Sequence, residues 1–131
     1  MKRLKDGAAC IAVVEDEPDL RALICRWLSP RYRTVSFASA EEFLASEDAA
    51  VDADAVVTDV RMEGMNGFRL CERIRANPRC GHRPVVLLTG VRPEEGLFTG
   101  QRVGASAYLA KPVGRDCLLE QLEKLLDPLA N

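Results

Sequence analysis

Apolar residues fall in five short runs along the chain, separated by stretches in which they recur every three or four positions. Cys10 to Val14 is nearly continuous, the pattern of a strand covered on both faces. Glu17-Pro18-Asp19 then opens a helix, since proline and acids suit a first turn. Leu20, Leu23, Ile24, Trp27 and Leu28 follow at helical spacing, with Trp27 expected in the core, and Ser29-Pro30 ends the helix. Arg31 to Phe37 reads as a second strand, alternating Arg33, Val35 and Phe37 against Tyr32, Thr34 and Ser36. Ser39-Ala40-Glu41-Glu42 matches a capping box, so a short helix carrying Phe43 and Leu44 begins there. The link Ser46 to Asp54 leads into a third strand, Ala55 to Thr58.

A helix from about Phe68 to Ala76, with Phe68, Cys71 and Ile74 on one face, stops at Asn77-Pro78. Pro84 to Thr89 is a fourth strand and Ala107-Tyr108-Leu109 a fifth. Between them Pro93 to Val103 reads as a helix weakened by Gly96 and Gly100, each costing roughly 1 kcal/mol relative to alanine. Leu118, Leu119, Leu122, Leu125 and Leu126 form the stripe of a last helix, ended by Asp127-Pro128. Strands alternating with helices in this way predict one α/β domain over residues 1–131, a (βα)5 doubly wound parallel sheet with helices on both faces. Open sheets of this kind bind at the carboxyl ends of their strands. Glu15, Asp16, Asp59, Thr89 and Lys111 all fall on that edge.

Composition narrows the function classes. Apolar residues at 47% and charged residues at 29% describe an ordinary globular chain. A net charge of −2 gives no global footprint for nucleic acid or an anionic membrane. No apolar run approaches a membrane span, and the basic start followed by Ala8–Val14 runs directly into Glu15-Asp16-Glu17, which suits a first strand better than a secretory signal. Five cysteines, Cys10, Cys25, Cys71, Cys80 and Cys117, are odd in number and lack paired metal spacing, so the expectation is a reduced, cytoplasmic protein. His82, in a polar loop, is expected to be solvated.

Carboxylates gathered in a crevice repel one another, and a hard divalent cation relieves that penalty. Mg²⁺ suits one or two carboxylates while keeping other positions for water and phosphate oxygens. A lysine and a hydroxyl alongside would complete a cradle for a phosphoryl group, in which a carboxylate can act as nucleophile.

The order Glu15-Asp16, Asp59-x-x-Met62-x-x-Met65-Asn66-Gly67, Thr89 and Tyr108-x-x-Lys111-Pro112 resembles the receiver domain of two-component response regulators, the CheY-like family, over essentially the whole chain. The resemblance implies strand order 2-1-3-4-5 and a cis peptide at Lys111-Pro112. It implies that Asp59 accepts a phosphoryl group from the phosphohistidine of a histidine kinase or phosphotransfer protein. Asp16, Asp59 and the backbone carbonyl of Arg61 would ligate Mg²⁺, with Glu15 acting directly or through water. Lys111 would pair with the phosphoryl oxygens, and Thr89 and Tyr108 would form the switch. The output surface for a downstream effector, or for a phosphorylation-dependent homodimer, would be the fourth helix (93–103), the fifth strand with Tyr108, and the exposed face of 115–126. That fourth helix is expected to be loosely held. Glu63 stands where the family has proline, Gly90 where alanine is commoner and Val113 where an aromatic is frequent. Arg61 and Val91 occupy positions that tune dephosphorylation in the family.

Taken singly, each of these residues has a plainer reading. Asp59 could cap a loop, Glu15-Asp16 could be helix N-terminal acids, Thr89 an ordinary strand-end hydroxyl, Lys111 a turn lysine and Tyr108 half-buried core. Their combination favours a signalling module over an enzyme. Phosphatases of the haloacid dehalogenase type need a second acid two residues after the nucleophile, where this chain has Arg61. A dinucleotide-binding reading lacks the Gly-x-Gly-x-x-Gly loop after the first strand. Two alternatives stay open: an unphosphorylated interaction scaffold, and a receiver cut from a longer DNA-binding regulator, whose strand phrases Val57–Met62 and Leu88-Thr89-Gly90 resemble. No DNA-binding segment is legible in the chain itself, and neither nucleic acid nor membrane is expected as a direct partner.

Overall fold

The computed structural model describes residues 8–46, 52–90 and 99–127. Its strands are β1 (Cys10–Val14), β2 (Arg33–Phe37), β3 (Ala55–Asp59), β4 (Val85–Thr89) and β5 (Ala107–Ala110). They form one parallel sheet of order β2-β1-β3-β4-β5. The helices are α1 (Pro18–Leu28), α2 (Ala40–Ala45), α3 (Gly67–Ala76), α4, of which residues 99–103 are described, and α5 (Arg115–Leu126). Residues 91–98, which include Val91 and the expected start of the fourth helix, lie outside the described residues. Among the described residues no helix is long and apolar enough to cross a membrane.

Every residue of β1, β3 and β4 is buried, because these central strands are covered on both faces. The period of two in a strand then deals their side chains to two separate cores. Ala12, Val14, Val56 and Leu87 join Phe43, Leu70, Cys71 and Ile74 beneath α2 and α3. Ile11, Val13, Val57, Val86 and Leu88 join Ile24, Leu28, Leu118 and Leu122 beneath α1 and α5. Each fully buried valine or leucine contributes about 1.5–3 kcal/mol.

The helix starts follow the residues that cap them. Glu17 accepts the Leu20 N–H at 3.1 Å, Ser39 the Glu42 N–H at 3.0 Å and Asn66 the Arg69 N–H at 2.9 Å. Each satisfies an N–H that the first turn leaves without a helical partner.

Several expectations need correction at the periphery. β2 begins at Arg33, two residues late, because the Arg31 and Tyr32 amides both donate to the Leu28 carbonyl and extend the end of α1. Its alternation does not sort inside from outside: Val35 is 38% exposed, since β2 is an edge strand. Leu23 points outward at the same exposure, and Trp27 is half-buried against the α1/α5 core rather than within it. In α3 it is Leu70, with Cys71 and Ile74, that fills the core, while Phe68 is half-buried.

Two features fix how the sheet edge is presented. The Arg75 side chain reaches the carbonyls of Arg83 (2.6 Å), Gly104 (2.9 Å) and Gly81 (3.1 Å) and the Ser106 hydroxyl (3.2 Å), tying the end of α3 to the loops before β4 and β5. At the other end Gly67 donates to the Val60 carbonyl at 2.9 Å and closes the loop after β3. A Cβ at Gly67 would overlap the Asp59 carbonyl oxygen and lie 2.9 Å from the Val60 Cα. Gly67→Ala is therefore expected to cost about 2–3 kcal/mol, by forcing backbone apart in a packed site. A urea unfolding midpoint equal to that of the wild type would show that this contact is not held in solution.

Candidate functional site

The site begins where the three central strands end. The Glu15 amide still donates to the Phe37 carbonyl at 3.0 Å, so this residue leaves β1 under sheet control. The Val60 amide likewise donates to the Leu88 carbonyl at 2.9 Å, fixing Asp59 as the last residue of β3. Glu15 and Asp59 are 1% and 4% exposed, whereas Asp16 is exposed. Glu15, Asp16 and Asp59 each present an oxygen within 4.8 Å of the other two. Three carboxylates, two of them largely removed from water, form an all-oxygen donor set suited to a hard divalent cation.

Lys111 closes the site from β5. Its amide donates to the Thr89 carbonyl at 2.8 Å, and the Lys111-Pro112 peptide is cis, as expected. The Nζ lies 3.0 Å from Asp59 Oδ1 and 3.3 Å from Glu15 Oε1, so one ammonium bridges both buried acids. The second Glu15 oxygen accepts the Glu17 N–H at 3.1 Å. Thr89 is fully buried at the end of β4, one residue past Leu88, which pairs in register with Asp59. Arg61 is exposed and borders an open hollow shared with Asp16, Glu63 and Phe68. Sheet geometry thus brings Glu15, Asp16, Asp59 and Lys111 into one cluster, with Thr89 on the adjoining strand end.

Burial dominates the electrostatics. It pushes the Asp59 carboxyl above its ordinary range, with Asp16 adding to the rise and Lys111 opposing it. Burial also raises the Glu15 carboxyl, which the Glu17 amide and Lys111 oppose and Asp59 reinforces. For Lys111 burial works downward, but Asp59 and Glu15 outweigh it and hold the ammonium above its usual value.

Tyr108 lies opposite Leu87 on β5, half-buried against the α2/α3 core. Its ring stacks on Phe68, with centroids 6.4 Å apart and planes 9° from parallel, and its buried hydroxyl has no hydrogen-bond partner among the described residues. Two contributors were not legible from the sequence. Phe68 reads there as core, and nothing in its spacing pairs it with a residue forty positions on. Glu41 reads as a first-turn acid of α2, yet its carboxylate accepts the Met65 N–H at 2.9 Å, in the loop after Asp59.

Comparison with known proteins agrees with this arrangement. The sequence pattern described as the response regulator receiver domain matches residues 11–123. The transcriptional regulatory protein TcrA of Mycobacterium tuberculosis is 38% identical over 127 residues, covering 91% of this chain and 49% of TcrA. The response regulator PleD of Caulobacter vibrioides is 33% identical over 119 residues, covering 90% of this chain and 26% of PleD. The chain thus spans about half the length of the first relative and about a quarter of the second. Among solved structures, the Vibrio cholerae chemotaxis protein CheY4 superposes with a TM-score of 0.83 at 28% identity, covering 90% of this chain and 98% of CheY4.

The pKa directions have a consequence for stability. A carboxyl whose folded pKa is raised holds its proton more tightly folded than unfolded, so stability falls as pH climbs from the ordinary carboxylate range through the raised value. The Lys111 contribution is fully present throughout that range and is lost only in strongly alkaline solution. Metal-free protein is thus expected to lose stability as pH rises from the ordinary carboxylate range, about pH 4, towards neutrality. Asp59→Asn should flatten that slope and stabilise the fold by about 1 kcal/mol at neutral pH. Urea unfolding across the range checks both, and a steeper slope in the variant would refute the assignment to Asp59.

Proposed function

Because the chain belongs to the response regulator receiver family of two-component signalling, we propose that Asp59 is its phosphoacceptor. The observation that carries this reading is the buried Asp59 carboxylate held 3.0 Å from Lys111 beside a second and third acid. An Asp59 oxygen attacks the phosphorus of a phosphohistidine on a histidine kinase or phosphotransfer protein. The P–O bond forms as the P–N bond breaks, and the imidazole nitrogen departs with the bonding pair and takes up a proton. The product on this chain is a mixed anhydride, an aspartyl-phosphate.

Each neighbouring residue has a stated part in that transfer. Lys111, already paired with Asp59, exchanges carboxylate for phosphoryl oxygen and neutralises the incoming charge. Asp16, Asp59 and the Arg61 carbonyl would hold Mg²⁺, with Glu15 contributing directly or through water. When bound, Mg²⁺ offsets the acid–acid repulsion and the negative charge of the phosphoryl group. Thr89 then donates its hydroxyl to a phosphoryl oxygen, and Tyr108 moves with it. That movement alters the surface of α4, β5 and α5 presented to an effector protein or a second receiver. A second reading, the receiver portion of a longer DNA-binding regulator, is favoured by TcrA, a transcriptional regulatory protein of which this chain spans about half.

Intact mass after incubation with acetyl phosphate tests the proposal. The expected result is one Mg²⁺-dependent phosphate on the wild type and none on Asp59→Asn. Lys111→Ala should slow its appearance on the order of a hundredfold, the usual effect of removing one charge-stabilising donor. No adduct under rapid quench, or an adduct surviving in Asp59→Asn, would overturn the assignment and favour an unphosphorylated scaffold.

A further inference from the structure

The loop from Val60 to Asn66 carries Arg61 and faces Asp16, yet little of its own sequence stiffens it. Glu63 is not a proline, so φ at that position is not locked. Gly64 adopts a φ of +78°, a conformation glycine takes readily and other residues rarely do. The ends of the loop are fixed: Val60 donates to Leu88 at one end, and Gly67 donates back to Val60 at the other. The apex is held from a different element. Glu41, in the first turn of α2, accepts the Met65 N–H on Oε2 at 2.9 Å. Its carboxylate also fills the space beside Gly64, where a Cβ would lie 2.5 Å from Oε2 and 3.3 Å from Oε1.

That contact has a firm base. Ser39 caps α2, and Phe43 anchors it, fully buried and packed edge-on to Phe37 with ring centroids 5.4 Å apart. A six-residue helix thus carries one side chain from the β2 side of the sheet across to the loop after β3.

We propose that Glu41 is a positioning residue for the cation site, holding the apex of the loop that carries Arg61 in the shape the bound ion requires. The proposal rests on the metal reading given above. Glu41 touches neither the ion nor the phosphoryl group, and it acts through the Met65 backbone. The physical logic is that of outer partners which orient the groups ligating a metal. Here the partner is a side chain gripping a backbone whose sequence leaves it loose.

Two readouts on the intact chain test this. Exchange of the Met65 amide, followed by NMR in metal-free protein, reads the clamp itself. Mg²⁺ titration, followed by calorimetry, reads its consequence. Glu41→Ala is expected to speed Met65 exchange and weaken Mg²⁺ binding roughly two- to tenfold, the worth of one solvent-exposed hydrogen bond. Glu41→Gln keeps an acceptor oxygen in place and should stay within about twofold of wild type on both measures. Glu42→Ala removes the neighbouring first-turn acid without touching the loop, and should leave both unchanged.

Wild-type Mg²⁺ affinity in Glu41→Ala would overturn the proposal. So would equal weakening by Glu41→Gln or Glu42→Ala, since either would make the effect one of charge near the ion rather than of the hydrogen bond. A wild-type protein that binds no Mg²⁺ would instead sink the metal reading, and this inference with it.

Discussion

The structure turns on removing two carboxylates from water beside a single ammonium. Glu15 and Asp59 sit at the ends of adjacent buried strands, and Lys111 reaches both. Desolvation is the largest influence on each acid and works against its charge. One lysine cannot neutralise three carboxylates, so the cluster carries an excess of negative charge in a place that tolerates it poorly. That excess of negative charge suits the cluster to a hard divalent cation. A folded protein maximised for stability alone would place apolar side chains here, since well-packed replacements of buried ion pairs are often neutral or stabilising.

Around this core of charge the rest of the fold acts as a frame. Burial of β1, β3 and β4 on both faces fixes where each strand stops, and that sets the acids to within a hydrogen bond of the lysine. Gly67 lets α3 start directly against the Asp59 backbone, which no residue with a Cβ could do without displacement. Arg75 performs the complementary task at the opposite end of α3, joining three carbonyls and a hydroxyl from two loops. The site is thus framed by its strands, and the loop after β3 is held by the Val60–Gly67 hydrogen bond and by Glu41.

How much of this could be read from the amino-acid sequence depended on the range of the interaction. The strand runs, the Ser39 cap and the ordered set Glu15-Asp16, Asp59, Thr89 and Lys111 are local patterns that place the acids and the lysine on one sheet edge, whereas the strand order came from the family resemblance those residues carry. Peripheral packing was less legible. Val35 and Trp27 carry hydrophobic signals but occupy an edge strand and a half-covered helix face, positions that depend on what lies beside them in three dimensions. The Glu41–Met65 and Phe68–Tyr108 contacts cross 24 and 40 residues of chain. No periodicity encodes such pairs, because each depends on two elements whose relative placement the sheet decides.

Tyr108 is the residue through which the proposed switch would connect the charged cluster to the surface. Its buried hydroxyl has no partner among the described residues. Its ring is nonetheless retained, stacked on Phe68 and packed against the α2/α3 core. Among the described residues the tyrosine is therefore held by its apolar face rather than by its polar tip. Phe68 adjoins Gly67 and borders the hollow next to Asp16, while Tyr108 shares β5 with the strand end that leads to Lys111. On the proposed reading, a change in charge at Asp59 would act on a side chain held chiefly by ring packing, and a small differential interaction would suffice to shift its population.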